Sequence, residues 1–162
     1  MPVKLLAFDP GKTTGWFLLE EPHCPVAAGE LPLELDRIVA VLDRYQPDEV
    51  VVEAFRLYPW RSKEQSWSDF PAVRVIGAVQ LWCVQHRVFC LEQSASCKRV
   101  VPVELLRRTG ASRMTRGLPH ARDAARHALY RATQRWPEAI WEVLEWRESP
   151  AQKKLSRSAG AI

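Results

Sequence analysis

The chain opens on a pattern that few folds can use: a largely apolar run, Val3 to Phe8, stops at Asp9-Pro10-Gly11-Lys12 and resumes as Thr14 to Leu19. The break is turn chemistry, with proline presetting one backbone angle and glycine free to take angles closed to other residues, and the flanking runs are rich in β-formers. The start therefore reads as a hairpin. A third strand is expected near Pro25 to Glu30, after which Leu31, Leu35, Ile38, Val39 and Leu42 recur at helical spacing until Pro47 ends the helix. Glu49-Val-Val-Val-Glu53 follows as a short apolar run of the kind buried in the middle of a sheet. This makes a crossover unit.

Residues 54 to 69 are polar and aromatic without clear periodicity. Asp69 followed by Pro71 marks a helix start that carries the chain to about Gln85. That helix is apolar nearly all round, so it needs cover on two sides, a sheet on one and a second subunit on the other. Arg87 to Leu91 reads as another strand, a basic segment follows, and Pro119 opens a helix to about Trp136. The order predicts an α/β fold: a mixed five-stranded sheet with an antiparallel hairpin, parallel crossovers and helices on both faces. At 162 residues and 47% hydrophobic content the chain suits one buried core rather than two domains. The domain is expected over 1–148, with a frayed polar tail from 149 to 162.

Charge is distributed unevenly. Arg107, Arg108, Arg113, Arg116, Arg122, Arg126, Arg131 and Arg135 face a single acid, Asp123, between positions 107 and 135, which points to a polyanionic partner. Glu138, Glu142, Glu145 and Glu148 fall on one solvated helical face. No apolar stretch reaches the length of a bilayer span, and neither a membrane anchor nor a secretory signal is expected. Cys24, Cys83, Cys90 and Cys97 match no zinc spacing and are expected as buried reduced thiols in an intracellular protein.

The chemistry rests on carboxylates. Asp9 ends one apolar strand and Glu53 ends another; if those strands are adjacent, two acids meet at the same end of the sheet and repel unless a cation sits between them. Singly, each has a plainer explanation, as a turn former and as a solvated strand end. On the late helix His120, Asp123 and His127 share one face, with Ala124, Ala128 and Ala132 alongside to let the helix lie close to a sheet. A carboxylate in the first turn also suits the helix dipole, and His127 is expected only as a packed or solvated residue. Three acids and a histidine from distant parts of the chain would suit two Mg2+ or Mn2+ ions roughly 4 Å apart, which activate water, neutralise a phosphate and stabilise the leaving oxygen.

Phe8-Asp-Pro-Gly-Lys-Thr-Thr-Gly-Trp16 resembles the first-strand motif of RuvC-type Holliday junction resolvases of the RNase H-like superfamily. Val50-Val-Val-Glu53-Ala looks like the strand ending in that family's second catalytic acid, and His120-Ala-Arg-Asp123-Ala-Ala-Arg-His-Ala-Leu129 is similar to its last helix. Gly77-Ala78, Val88 to Gln93 and Lys98-Arg-Val-Val101 follow the same layout, so the resemblance spans roughly residues 3 to 135. It implies an RNase H-like fold and a homodimeric, metal-dependent endonuclease making paired symmetrical nicks in four-way DNA. It further implies Asp9, Glu53, Asp123 and His120 as catalytic and metal-binding residues, with two Mg2+ or Mn2+ ions per site. The loop after the second acid reaches into the junction in that family. Here Phe55, Tyr58, Trp60, Trp67 and Phe70 interleave with Arg56, Arg61 and Lys63, a mixture suited to stacking on bases while gripping phosphates; a small aromatic subcore is the alternative. Expected DNA contacts are Arg56, Tyr58, Trp60, Arg61, Lys63, Lys98, Arg99, Arg113 and Arg116.

Gly11-Lys12-Thr13 is not a phosphate-binding loop, because Leu6 stands where that pattern requires glycine. The chain is too short for a two-domain actin-like ATPase. Two rivals stay open: another RNase H-like nuclease acting on RNA:DNA hybrids or other branched DNA, and a non-catalytic junction-binding protein.

Overall fold

The hairpin expected around Asp9 forms the centre of the sheet. Strand β1 (Lys4–Asp9) runs antiparallel to β2 (Thr13–Glu20), from the pair Lys4↔Glu20 to Asp9↔Gly15. The Thr14 hydroxyl closes the turn, donating to the Gly11 carbonyl at 3.3 Å. Strand β3 (Cys24–Pro32) pairs antiparallel with β2, and helix α1 (Leu35–Tyr45) then returns the chain to β4 (Glu49–Glu53), parallel beside β1. In the computed structural model the described residues are 1–56 and 70–145. Tyr58, Trp60, Arg61 and Lys63 lie outside them, as does the expected tail.

Helix α2 (Pro71–His86) leads to β5 (Phe89–Gln93), parallel to β4, giving the strand order β3-β2-β1-β4-β5. Strand β5 starts two residues later than expected because Arg87 adopts a left-handed φ of 58° and caps α2, its N–H reaching the Cys83 and Val84 carbonyls. Three short helices, α3 (Cys97–Val100), α4 (Val103–Arg108) and α5 (Ala111–Met114), occupy the basic segment. They are too short for hydrophobic periodicity to reveal. The long helix α6 (Pro119–Arg135) and α7 (Pro137–Glu145) complete the described chain.

Side chains alternate across the strands and divide the core. Leu5, Ala7, Phe17, Leu19 and Val51 pack with α4, α6 and α7, while Leu6, Phe8, Trp16, Leu18, Val50 and Val52 pack with α1 and α2. Helices thus cover both faces, as expected. Helix α6 presents Ala121, Ala124, Ala125, Ala128 and Ala132, all fully buried, and small side chains bring its backbone close to the sheet. At Gly15 the approach leaves no room at all: a β-carbon there would sit 2.0 Å from the His120 carbonyl carbon. This accounts for glycine inside strand β2.

Helix α2 buries Val75, Ile76, Val79, Trp82 and Cys83 but leaves Leu81 59% and Val84 76% exposed, so its outer side is uncovered in the single chain. Among the cysteines, Cys83 is buried, Cys90 and Cys97 are half-buried, and Cys24 is exposed, contrary to expectation, because it opens the edge strand β3; all are free thiols. Among the described residues no helix is long and apolar enough to cross a membrane.

Candidate functional site

Strand pleat and register explain how the acids meet. Asp9 follows Phe8, which pairs with Val52, so Asp9 and Glu53 close adjacent parallel strands side by side. Gln93 closes β5 directly opposite Glu53. Each is an even number of residues from Ala7, Val51 and Leu91, which belong to the α6 side of the core, so all three point toward α6.

Helix α6 supplies the other half. His120, Asp123 and His127, at spacings of three and four, look down on those strand ends. The first turn of α6 is tied to the sheet by Glu30 of β3, whose Oε1 accepts from the His120 N–H at 2.7 Å and the Ala121 N–H at 3.4 Å. His120 is exposed and its Nδ1 lies 3.0 Å from Asp9 Oδ2. Asp123 Oδ1 accepts from Arg126 at 2.8 Å.

The cation required between the acids is Lys98 of α3. Its Nζ lies 2.7 Å from Glu53 Oε2, 3.1 Å from Asp123 Oδ2 and 3.5 Å from Asp9 Oδ1. Burial raises the Asp9 carboxyl above its ordinary range, against the pull of Lys98 and His120. Burial would also raise Glu53, but hydrogen bonds from His127 and Lys98 prevail and hold it at about 2. Lys98, despite its burial, is held above the ordinary lysine range by Glu53 and Asp9. Among the described residues no three His, Cys, Asp or Glu side chains are gathered closely enough to hold a metal ion as they stand. The acids are instead drawn onto Lys98. Their oxygen donors suit a hard divalent cation, and an ammonium already occupies the middle of the set, so the residues fit such an ion once Lys98 is withdrawn.

Two residues join this site that the sequence did not assign to it: Gln93, which was not foreseen, and His127, which was expected only as a packed or solvated residue. His127 is fully buried, with Nε2 2.9 Å from Glu53 Oε2 and Nδ1 2.8 Å from Gln93 Oε1. Gln93 could have been found by asking which side chain closes β5 as Asp9 and Glu53 close their strands. His127 carried a signal too, one turn beyond Asp123 on the same face.

Of the expected DNA contacts, Lys98 lies inside the acidic cluster, while Arg56, Arg99, Arg113 and Arg116 are exposed. A small cleft of about 150 Å³ beside Glu53 is lined by Pro10, Phe55, Arg56 and Ser94 among others. Phe55 and Phe70 pack on each other with centroids 5.2 Å apart, and Phe55 adds to the α1/α2 core, so these two rings take the subcore alternative.

The mixed sheet of order 3-2-1-4-5 with helices is the RNase H-like fold. Within it the chain resembles Thermus thermophilus RuvC. The structure of that protein in complex with a Holliday junction substrate matches with a TM-score of 0.58 and 17% identity, covering 82% of this chain and 96% of the other. A second T. thermophilus RuvC structure matches with a TM-score of 0.58 and 16% identity, covering 83% and 97%. No protein-family model and no curated protein matches the sequence. At these identities the likeness is one of fold.

Proposed function

We propose that this protein is a metal-dependent endonuclease that resolves four-way DNA junctions. The observation that carries the reading is the convergence of Asp9, Glu53 and Asp123 on one cation at the strand ends of an RNase H-like sheet. A binding protein gains nothing from gathering carboxylates where phosphates must approach. Asp9, Glu53 and Asp123, with His120, would hold two Mg2+ or Mn2+ ions. Bound there, such ions supply an activated water, neutralise the scissile phosphate and stabilise the leaving oxygen.

The side chains divide the remaining work. Asp9 and Glu53, fixed at adjacent strand ends, set the spacing of the acids. His120 reaches Asp9 through Nδ1, which leaves its Nε2 to ligate an ion or to orient a water. Lys98 must leave the cluster for the ions to enter, and its tether on α3 keeps the ammonium within reach of the incoming phosphate. Arg56, Arg99, Arg113 and Arg116, with Tyr58, Trp60, Arg61 and Lys63, would grip the branched DNA. We place the domain over 1–148. A second copy covering the exposed side of α2 would make a homodimer with two sites, as paired nicks require.

The test uses a labelled four-way junction, a linear duplex and an RNA:DNA hybrid, each with Mg2+, Mn2+ or chelator. Paired nicks on opposite strands of the junction alone, lost with chelator, are expected. Preferential cutting of the hybrid would move the assignment to an RNase H, and binding without divalent-dependent cutting would leave only a junction binder. Asp9→Asn is expected to keep junction binding and lower cutting by more than about 100-fold, since losing a ligand should cost more than losing an outer partner.

A further inference from the structure

Each acid of the cluster has a basic partner besides Lys98, but the three partners differ in kind. Asp9 has the exposed His120 and Asp123 has Arg126, a neighbour on its own helix. Glu53 alone is held from inside the protein. His127 is shut off from solvent, and both ring nitrogens are engaged, one by Glu53 and one by Gln93, which is itself buried.

The hydrogen-bond inventory restricts what His127 does. A carboxylate oxygen can only accept, so the Nε2 proton is donated to Glu53 Oε2. The Gln93 side-chain nitrogen has no partner in the orientation that aims Oε1 at Nδ1. Turning the amide over offers that nitrogen to Nδ1 and leaves the ring neutral. In either orientation the proton facing Glu53 is the same one. Glu53 Oε2 therefore receives two groups: His127 from the core side and Lys98, at 2.7 Å, from the open side.

We propose that His127, anchored by Gln93, is a positioning residue that fixes Glu53 as a metal ligand. This rests on reading Glu53 as a ligand. The relay occupies the core side of Oε2, so the carboxylate keeps one orientation whether Lys98 or an ion stands on its open side. Fixing a ligand before the ion arrives removes an ordering cost from binding, as outer hydrogen-bond partners do at metal sites generally. The relay joins β4, β5 and α6, so it also ties Glu53 to the helix bearing Asp123.

The experiment measures Mn2+ binding to the DNA-free protein, through the magnetic resonance signal of unbound Mn2+, with thermal melts in chelator alongside. His127→Phe fills similar space without a donor and is expected to weaken Mn2+ binding about 10- to 100-fold. His127→Gln, which can return an N–H to Glu53, is expected to recover most of that loss, and Gln93→Leu to fall between. A rescue of this kind separates positioning from mere packing. A folded Phe variant with native Mn2+ affinity overturns the proposal; if that variant does not fold, native affinity in Gln93→Leu overturns it instead. Absence of Mn2+ binding by the unmodified protein would sink the nuclease reading as well, so the two failures are told apart.

Discussion

Strand β4 and helix α6 meet in charge at both of their ends, and the two meetings are built on opposite plans. At the start of β4, Glu49 is 1% exposed and is gripped by Arg131 and Arg135 from the last turns of α6. One acid there faces two cations, and the arginine side chains, 22% and 36% exposed, reach out to water. At the end of the same strand, Glu53 joins Asp9 and Asp123 around the single ammonium of Lys98. The first cluster has cations to spare and works as a clamp. The second sets three acids against two fixed cations, Lys98 and Arg126, and so still leaves room for more positive charge. Charge balance, rather than the presence of ion pairs, separates a structural cluster from a site.

The sharpest way to break this contrast is through the helix they share. Gly15→Ala would drive a methyl into the His120 backbone, which cannot turn aside as a side chain could. We expect a loss of about 3 kcal/mol, the upper part of the range for overpacking, read as a fall in melting temperature. Cutting should fall with it, because the first turn of α6 moves off Asp9 while the Glu49 end keeps its hold. A variant with unchanged stability would mean that α6 does not lie against β2 as described. Glu49→Leu comes next: it leaves two partly exposed arginines without their acceptor and should cost about 2 kcal/mol, less than a fully buried pair because water reaches the guanidinium groups. That loss should be indifferent to Mg2+. Stabilisation of this variant by Mg2+ beyond that of the unmodified protein would undo the distinction between the ends.

Lys98→Met tests the other end. Without the ammonium, Mn2+ would no longer have a competitor at the proposed metal site, and binding to the DNA-free protein should tighten about tenfold, equivalent to about 1.4 kcal/mol. Arg131→Met should leave that affinity untouched. Weaker binding in Lys98→Met would show that the lysine assists the ion rather than holding its place.

The sequence made one of these ends legible and not the other. Asp9 and Glu53 stand where apolar runs stop, and once β1 and β4 are paired the period of two along each strand brings them together. Asp123 follows from helical spacing. Glu49 sits at the front of the same apolar run, yet nothing local marks it as buried; its burial depends on the end of α6 folding back over it, a contact 82 residues away along the chain. The same holds for Lys98. It reads as one more residue of a basic segment, because the short helix that delivers it into the acids has no periodicity to see. His127 shows the same limit, since its partners lie on two strands whose register appears only in the folded chain. The arginines of 107 to 135 read as a surface for a polyanion, but Arg131 and Arg135 are engaged with Glu49 and Arg126 with Asp123.

The smallest effect concerns pH, and its sign distinguishes the acids of one cluster from each other. Glu53 is held at about 2 against an ordinary 4.5, so between those values the folded state binds fewer protons than the unfolded chain. Stability from Glu53 is therefore present above pH 4.5 and is lost as pH falls toward 2. Asp9 is shifted the other way by burial. Its share is present at low pH and is lost as pH rises through its folded value, partly offsetting Glu53. Glu104, also held at about 2 by Arg107 and Arg108, adds a slope of the same sign as Glu53, but one that substitutions at Glu53 leave alone. Melting temperatures from pH 5 to pH 3 in chelator should therefore fall in the unmodified protein and fall less steeply in Glu53→Gln. Equal slopes would mean that His127 and Lys98 do not hold Glu53 ionised, and the contrast between a closed clamp and an acid-rich site would lose its electrostatic basis.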